Sequence, residues 1–375
     1  MGCATSNTNN TNNVDLKPGP KVYPEGKNIP ANLISNEETT PATSTVVTEV
    51  NNNAIKATTG ETTTPSDLEV AAKAQQEETD RLKTADHERQ QRVALFRATK
   101  DGNVEGVQKV LSEGANVNAK GMWDNTPLIC ACQYGYREVA AVLLKNPNCD
   151  VNAVNEKGCT ALHHACIEGL NTIVLLLLEK GAKSNVKPAK LYNSKIDKNE
   201  VLDPLQAATV VGDITSIKAI VKNISEMHGE TGSEMSETTS GSIVKAITYA
   251  ISRNVPLAIN SLVEFYQSFS SNQLPVEKCT ALFTQACKSK NEKTVLSLLN
   301  SYKLFCFLDN DKKDLNGDSF ISTSNCKVAI ECNMPKVLKI LLEGNDVGLI
   351  DESTLALAQE MNNPDILALL PGNPQ

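Results

Sequence analysis

The feature that most constrains this chain is a stretch written twice. TPLICACQYG…VAAVLLKN, from Thr126, is answered by TALHHACIEG…IVLLLLEKG, from Thr160, and Leu128 and Leu162 stand 34 residues apart, the spacing of a helix–turn–helix repeat. A helix pair this short cannot bury its apolar face alone and must stack on copies of itself. A chain of 375 residues would ordinarily suggest two or three compact domains. A stack instead grows along one axis, so the first question is where the other copies lie.

One precedes the pair: Leu95 to Lys120 runs helix, Gly102 turn, helix and then Gly114-Ala115-Asn116-Val117-Asn118-Ala119. Five weaker copies follow, at Pro204–Val221, Ile243–Val263, Thr280–Leu299, Cys326–Leu342 and Thr354–Leu370. Gly212 marks the turn in the first of these, while Asn254, Asn333 and Asn362 stand at the turns of others. Asparagine is the residue that, after glycine, best tolerates the left-handed conformation such turns require. Two of the eight units are clear and the carboxy-terminal ones are degraded. Three insertions interrupt the period, at 187–202, 225–241 and 309–325. The first is lysine-rich and sits where a short hairpin is expected; the second, acidic and rich in Ser and Thr, is expected to be disordered and is a candidate phosphorylation segment.

At this point the chain resembles the ankyrin-repeat family. Its T-P-L-H-x-A-A…G…V-x-x-L-L…G-A pattern is matched in one unit by Thr126, Pro127, Leu128, Gly135, Val142, Leu143 and Leu144. The next unit supplies Gly158, Thr160, Leu162, His163, Ala165, Gly169, Val174, Leu177, Leu178, Gly181 and Ala182. The resemblance implies an all-α solenoid of about eight units over residues 92–371, with His163 in a backbone-bonding role. It also implies a protein partner held against hairpin tips and first helices. By alignment those tips are Met122, Trp123 and Asp124 in one unit and Asn155, Glu156 and Lys157 in the next. Trp123 is the chain's single tryptophan, a residue type that dominates interfaces.

Ahead of the repeats, Ser66 with Glu69 reads as a capping box opening one long charged helix over 66–91, without Gly or Pro until Gly102. Its few apolar positions, Leu68, Ala72, Leu82, Val93 and Phe96, make it a solvated rod more than a coiled-coil strand. Residues 1–65 are Asn-, Thr-, Ser- and Pro-rich and read as a disordered tether. They begin MGCATS, the pattern of N-myristoylation at Gly2, with Cys3 as a palmitoylation site. Two acyl groups would anchor the chain stably at the cytoplasmic face of a membrane, whereas one would not.

A net charge of −8 argues against a nucleic-acid surface. No Walker, GxSxG or HExxH pattern is present, so no enzyme, catalytic residue, cofactor or small-molecule substrate is expected. Ten of the eleven cysteines fall between Cys130 and Cys332, without zinc-knuckle spacing, and read as small buried thiols. Asp314, Asn316, Asp318 and Ser322 echo a calcium loop. Ser319 replaces its turn glycine and Asn325 its bidentate glutamate, so no metal site is assigned. A membrane-tethered adaptor is therefore the first functional expectation, a soluble inhibitor or regulator of an enzyme the second, and a weak calcium-responsive regulator the third.

Overall fold

A computed structural model describes residues 65–191, 193, 195–196, 200–227, 236–268, 276–304, 322–343 and 350–370. Gly2, Cys3, the tether and the Asp314–Asp318 string lie outside the described residues. The chain divides into two units, Met1–Thr84 and Ala85–Gln375, and helix α1 (Pro65–Lys100) contributes to both. It begins at Pro65, one residue before Ser66, so Ser66 is the second helical residue and not the cap expected of it. Residues 72–90 of the rod are exposed throughout, Leu82 included. Gln76 reaches Asp80 across one helical turn at 3.2 Å, and Lys83 pairs with the same carboxylate at 3.5 Å, the spacing at which helix side chains meet.

From Leu95 onward the second unit is a stack of helix pairs. The end of α1 pairs with α2 (Val104–Ser112). Next come α3 (Pro127–Tyr134) with α4 (Arg137–Lys145), and α5 (Ala161–Glu168) with α6 (Asn171–Glu179). α7 (Pro204–Val211) pairs with α8 (Ile214–Met227), and α9 (Glu237–Ser252) with α10 (Pro256–Ser268). The last three pairs are α11 (Val276–Lys288) with α12 (Glu292–Leu304), α13 (Thr323–Glu331) with α14 (Pro335–Leu342), and α15 (Glu352–Met361) with α16 (Pro364–Leu367). The described residues thus hold eight pairs, at the positions read from the sequence. First helices α3 to α15 pack in one row and second helices α2 to α16 in another, each packing chiefly on its neighbours in the row and on its own partner, with a further contact between α8 and α9. The core is the seam between the rows, filled by Leu128, Leu143, Leu162, Ile173, Leu177 and Phe283, each less than 2% exposed.

Local chemistry explains why each pair starts and turns where it does. Thr126 accepts from the Ile129 N–H at 3.3 Å with Pro127 in the first turn, where a missing N–H costs nothing. Asp203 does the same for α7 in a reciprocal box with Gln206, while Ser322 and Asp351 cap α13 and α15. The turns between paired helices are left-handed at Gly135, Gly169 and Gly212, and equally at Asn254, Asn333 and Asn362, the asparagines anticipated there. In the sixth pair the position is held by Lys290, φ 55°, which the sequence does not signal. A Cβ at left-handed φ costs roughly 1–2 kcal/mol. Lys290→Gly is therefore expected to stabilise the sixth pair by about 1 kcal/mol, seen as a raised midpoint in thermal denaturation.

The second insertion differs from expectation at both ends. Ser225 is buried within α8 and its hydroxyl donates to the Lys222 carbonyl at 2.8 Å. Ser236 caps α9, which begins at Glu237. The polar composition that suggested disorder over 225–241 is, at these ends, capping and back-bonding chemistry. Asn325, read as the failed twelfth position of a calcium loop, is fully buried in the first turn of α13. Among the described residues no helix is long and apolar enough to cross a membrane.

Candidate protein-binding face

Between successive pairs the chain projects a finger, and the first three fingers are joined by side-chain amides. Asn118 donates to the Asn148 carbonyl at 2.7 Å and accepts from the Asp150 N–H at 2.8 Å. Asn152, 34 residues on, repeats the bond pattern with the Gly181 carbonyl at 3.0 Å and the Lys183 N–H at 2.8 Å. Each is the Asn of a Val-Asn pair, so the signal was in the sequence, although only the stacked geometry shows what it does. The fingers are thereby held in register, and their tips share a defined spacing.

The first tip is a 3-10 turn, Met122–Asp124, in which Trp123 and Asp124 both take left-handed φ, 56° and 57°. Such conformations persist only where surroundings impose them. Here Gly121 N–H donates to the Asn125 carbonyl at 2.9 Å, Asn125 N–H returns to Met122 at 3.2 Å, and Lys120 pairs with Asp124 at 2.9 Å. Beneath the tip the Phe96 ring lies so close to Gly121 that a Cβ would stand 2.8 Å from it. Glycine lets the finger sit on that ring.

Trp123 is held at 51% exposure and Met122 at 48%. The indole leans on the second finger: Lys157 Nζ lies 5.1 Å from the ring centroid, a cation–π distance. The Glu156 N–H donates to the Trp123 carbonyl at 3.1 Å. Glu156 and Lys157 are exposed and Val154 beside them is 51% exposed. Asn155 departs from the expected role. It is buried, donates to Asn125 Oδ1 at 2.8 Å, and accepts from the Lys157 and Cys159 N–H groups at 3.0 and 2.9 Å. Its amide is spent on shaping the finger. Tyr136 fills a seam, its ring standing 3.0 Å from where a Gly102 Cβ would be.

The third finger belongs to the 187–202 insertion. Ala189–Lys190 (β1) pairs antiparallel with Val201–Leu202 (β2), and Cys159 Sγ lies 3.5 Å from the Lys190 carbonyl. The insertion then descends along α5 to its far end. Asn193 donates to Glu168 at 2.7 Å, and Lys195 Nζ donates to the Ile167 carbonyl at 2.9 Å, satisfying a terminal carbonyl where a cation also suits the helix dipole. Glu200 reaches the fifth pair, ion-paired with Arg253 and accepting from the Tyr249 hydroxyl at 3.0 Å. The described residues of the insertion thus bond to the first helices of the third and fifth pairs, while the tips of the first fingers remain exposed.

Chemistry inside the stack is quiet. The nine described cysteines are free thiols, seven of them buried. Burial pushes Cys130 and Cys287 up to about 12 and Cys159 and Cys326 up to about 11, so they are protonated and inert. His163 accepts from the Thr160 N–H at 3.2 Å through Nδ1, the backbone-bonding role the resemblance implied. Burial pulls it down to about 4, and pulls the neighbouring His164 down to about 3. His164 Nε2 has no hydrogen-bond partner among the described residues.

Residues 95–188, which hold the first two fingers and the first three helix pairs, match the family model of ankyrin repeats in three copies. They are ankyrin repeats. Among curated relatives, human Transient receptor potential cation channel subfamily A member 1 is 38% identical over 89 residues, 24% of this chain and 8% of that protein. The putative E3 ubiquitin-protein ligase XBAT34 of Arabidopsis thaliana is 32% identical over 132 residues, 35% of this chain and 32% of the relative. The chain spans a third or less of the length of these relatives. Among solved structures, the human ASB11 ankyrin repeat domain aligns with a TM-score of 0.43 at 20% identity, covering 67% of this chain and 97% of that one. The ankyrin solenoid is all-α apart from its one two-stranded hairpin among the described residues, and ankyrin repeats are as a rule protein-interaction modules rather than enzymes.

Proposed function

We propose that this protein is an adaptor that holds another protein on the exposed fingers of its first three ankyrin repeats while its lipidated amino terminus keeps it at the cytoplasmic face of a membrane. The observation that carries the binding half is the presentation of Trp123. A large amphipathic ring is half-exposed on a projecting tip, and the tip is fixed by backbone bonds, an ion pair and a ring packed beneath it. A rigid aromatic anchor loses little entropy on binding, which is what makes such residues dominate interfaces. Affinity capture with the full chain and with Trp123→Ala tests this half. Partners retained by the parent and lost by the variant are expected, and an identical set from both would contradict it.

The tethering half rests on the Gly2-Cys3 sequence and on the weakness of a single myristoyl anchor compared with two acyl groups. Metabolic labelling with a myristate analogue is expected to mark the parent and not Gly2→Ala, and Cys3→Ser is expected to leave the label but move the protein out of the membrane fraction. An unlabelled parent with unchanged fractionation in both variants would leave the soluble-regulator reading in its place.

A further inference from the structure

The charge along the finger row opposes the charge of the chain. The protein carries 36 Lys and Arg against 44 Asp and Glu, yet the three fingers bear Lys120, Lys157, Lys183, Lys187 and Lys190 against Asp124, Asp150 and Glu156. Lys120 is matched by Asp124 at 2.9 Å. Lys157, Lys183 and Lys187 are exposed, and Lys157 already brings its ammonium to the Trp123 ring. Apolar side chains alternate with this charge: Met122 and Trp123 on the first tip, Val154 on the second, and Val201, 52% exposed, on the third. The Asn118 and Asn152 bridges hold the tips in register, so a partner meets a fixed row and not three independent loops.

Resting on the reading of this face as a protein-binding surface, we propose that its occupant is an extended acidic segment of a partner protein carrying a large apolar side chain. The apolar side chain lies against Met122 and Trp123, and carboxylates on either side meet Lys157, Lys183 and Lys187. A basic or nucleic-acid-like occupant is not equivalent: a basic segment would be repelled by the row, and a polyanion reading only charge would leave the exposed indole and Met122 in water. Complementary charge of this kind chiefly sets partner choice and encounter rate, while the aromatic anchor sets how long the complex lasts.

The test uses the whole chain and a random peptide library displayed on phage, selected on the parent and counter-selected on Trp123→Ala. The enriched peptides are expected to be rich in Asp and Glu around a Phe, Leu or Met. Trp123 is the chain's only tryptophan, so its emission reports occupancy of the tip directly when a synthesised winner is titrated in. Binding is expected to weaken about tenfold, or 1.4 kcal/mol, in the Lys157→Glu, Lys187→Glu double variant, and to weaken further as salt is raised. Thermal denaturation of that variant, with its substitutions on exposed side chains, checks that the fold is kept. Enriched peptides that are basic or uncharged, or that bind the double variant as well as the parent, overturn the acidic partner while leaving the protein-binding reading to the capture comparison. No enrichment over Trp123→Ala overturns the inference outright.

Discussion

Lowering the pH from 7.5 to 5 is expected to remove roughly 3–4 kcal/mol of stability through His163 and His164 alone. Both are buried, and their folded-state values, about 4 and about 3, lie below the ordinary value near 6.5. A histidine depressed by folding contributes stability that is complete above its unfolded value and is lost as pH falls toward its folded value, because the unfolded chain then binds the proton and the folded chain refuses it. At pH 5 the unfolded groups sit about 1.5 units below their titration point, which at 1.36 kcal/mol per unit gives about 2 kcal/mol each. Carboxylates add their own slope, so the diagnostic comparison is with His164→Leu. That variant has a side chain of similar volume and removes an Nε2 that lacks a partner among the described residues. Its loss of stability between the two pH values, read from denaturant unfolding, is expected to be about 2 kcal/mol smaller than that of the parent. An equal fall in both would show that His164 is hydrated or paired in solution.

Leu162→Ala should cost more than any surface substitution in the molecule. Leu162 is fully buried in α5, whose neighbours α3 and α7 pack on either side of it and α6 behind. Deleting three buried carbons in such a seam costs about 2–5 kcal/mol, depending on how far the walls relax. In a stack the loss does not stay in one pair. Stability here is a sum of unit and nearest-neighbour contributions, so weakening the third pair loosens its contacts with the second and fourth. Amide exchange is expected to speed up from α3 to α8 and to change least in α13 to α16. A uniform acceleration along the whole chain would mean that the array unfolds as one block.

The residues that made the fold legible are those whose chemistry is local. Thr126-Pro127 and the glycine turns act within a few residues of themselves, and Asn254, Asn333 and Asn362 stand in for glycine because an Asn side chain tolerates left-handed φ. Lys290 adopts the same conformation and was invisible, since nothing about lysine announces it; it closes the same turn, its N–H donating to the Cys287 carbonyl at 2.9 Å. The candidate face was legible in part for the same reason. Trp123 stood out by its type, but its tip geometry depends on Phe96 and Lys157, which lie a finger or a helix away. Asn155 looked like a tip residue by alignment and is spent on Asn125 and on its own loop, because a buried amide goes where backbone donors need it. The course of the first insertion could not be read at all. Its anchors, Glu168, Ile167 and Arg253, are distant in sequence, and only the stacking of the pairs brings them under it.

The degraded carboxy-terminal copies complete one ankyrin stack with the clear ones. Native-state hydrogen exchange of the full chain, resolved by peptide, tests it most directly. Protection is expected in eight paired blocks, including Thr323–Glu331 with Pro335–Leu342 and Glu352–Met361, broken by fast exchange at each turn and finger. Rapid, unprotected exchange throughout residues 276–370 would contradict it and confine the folded array to the repeats that end near residue 268.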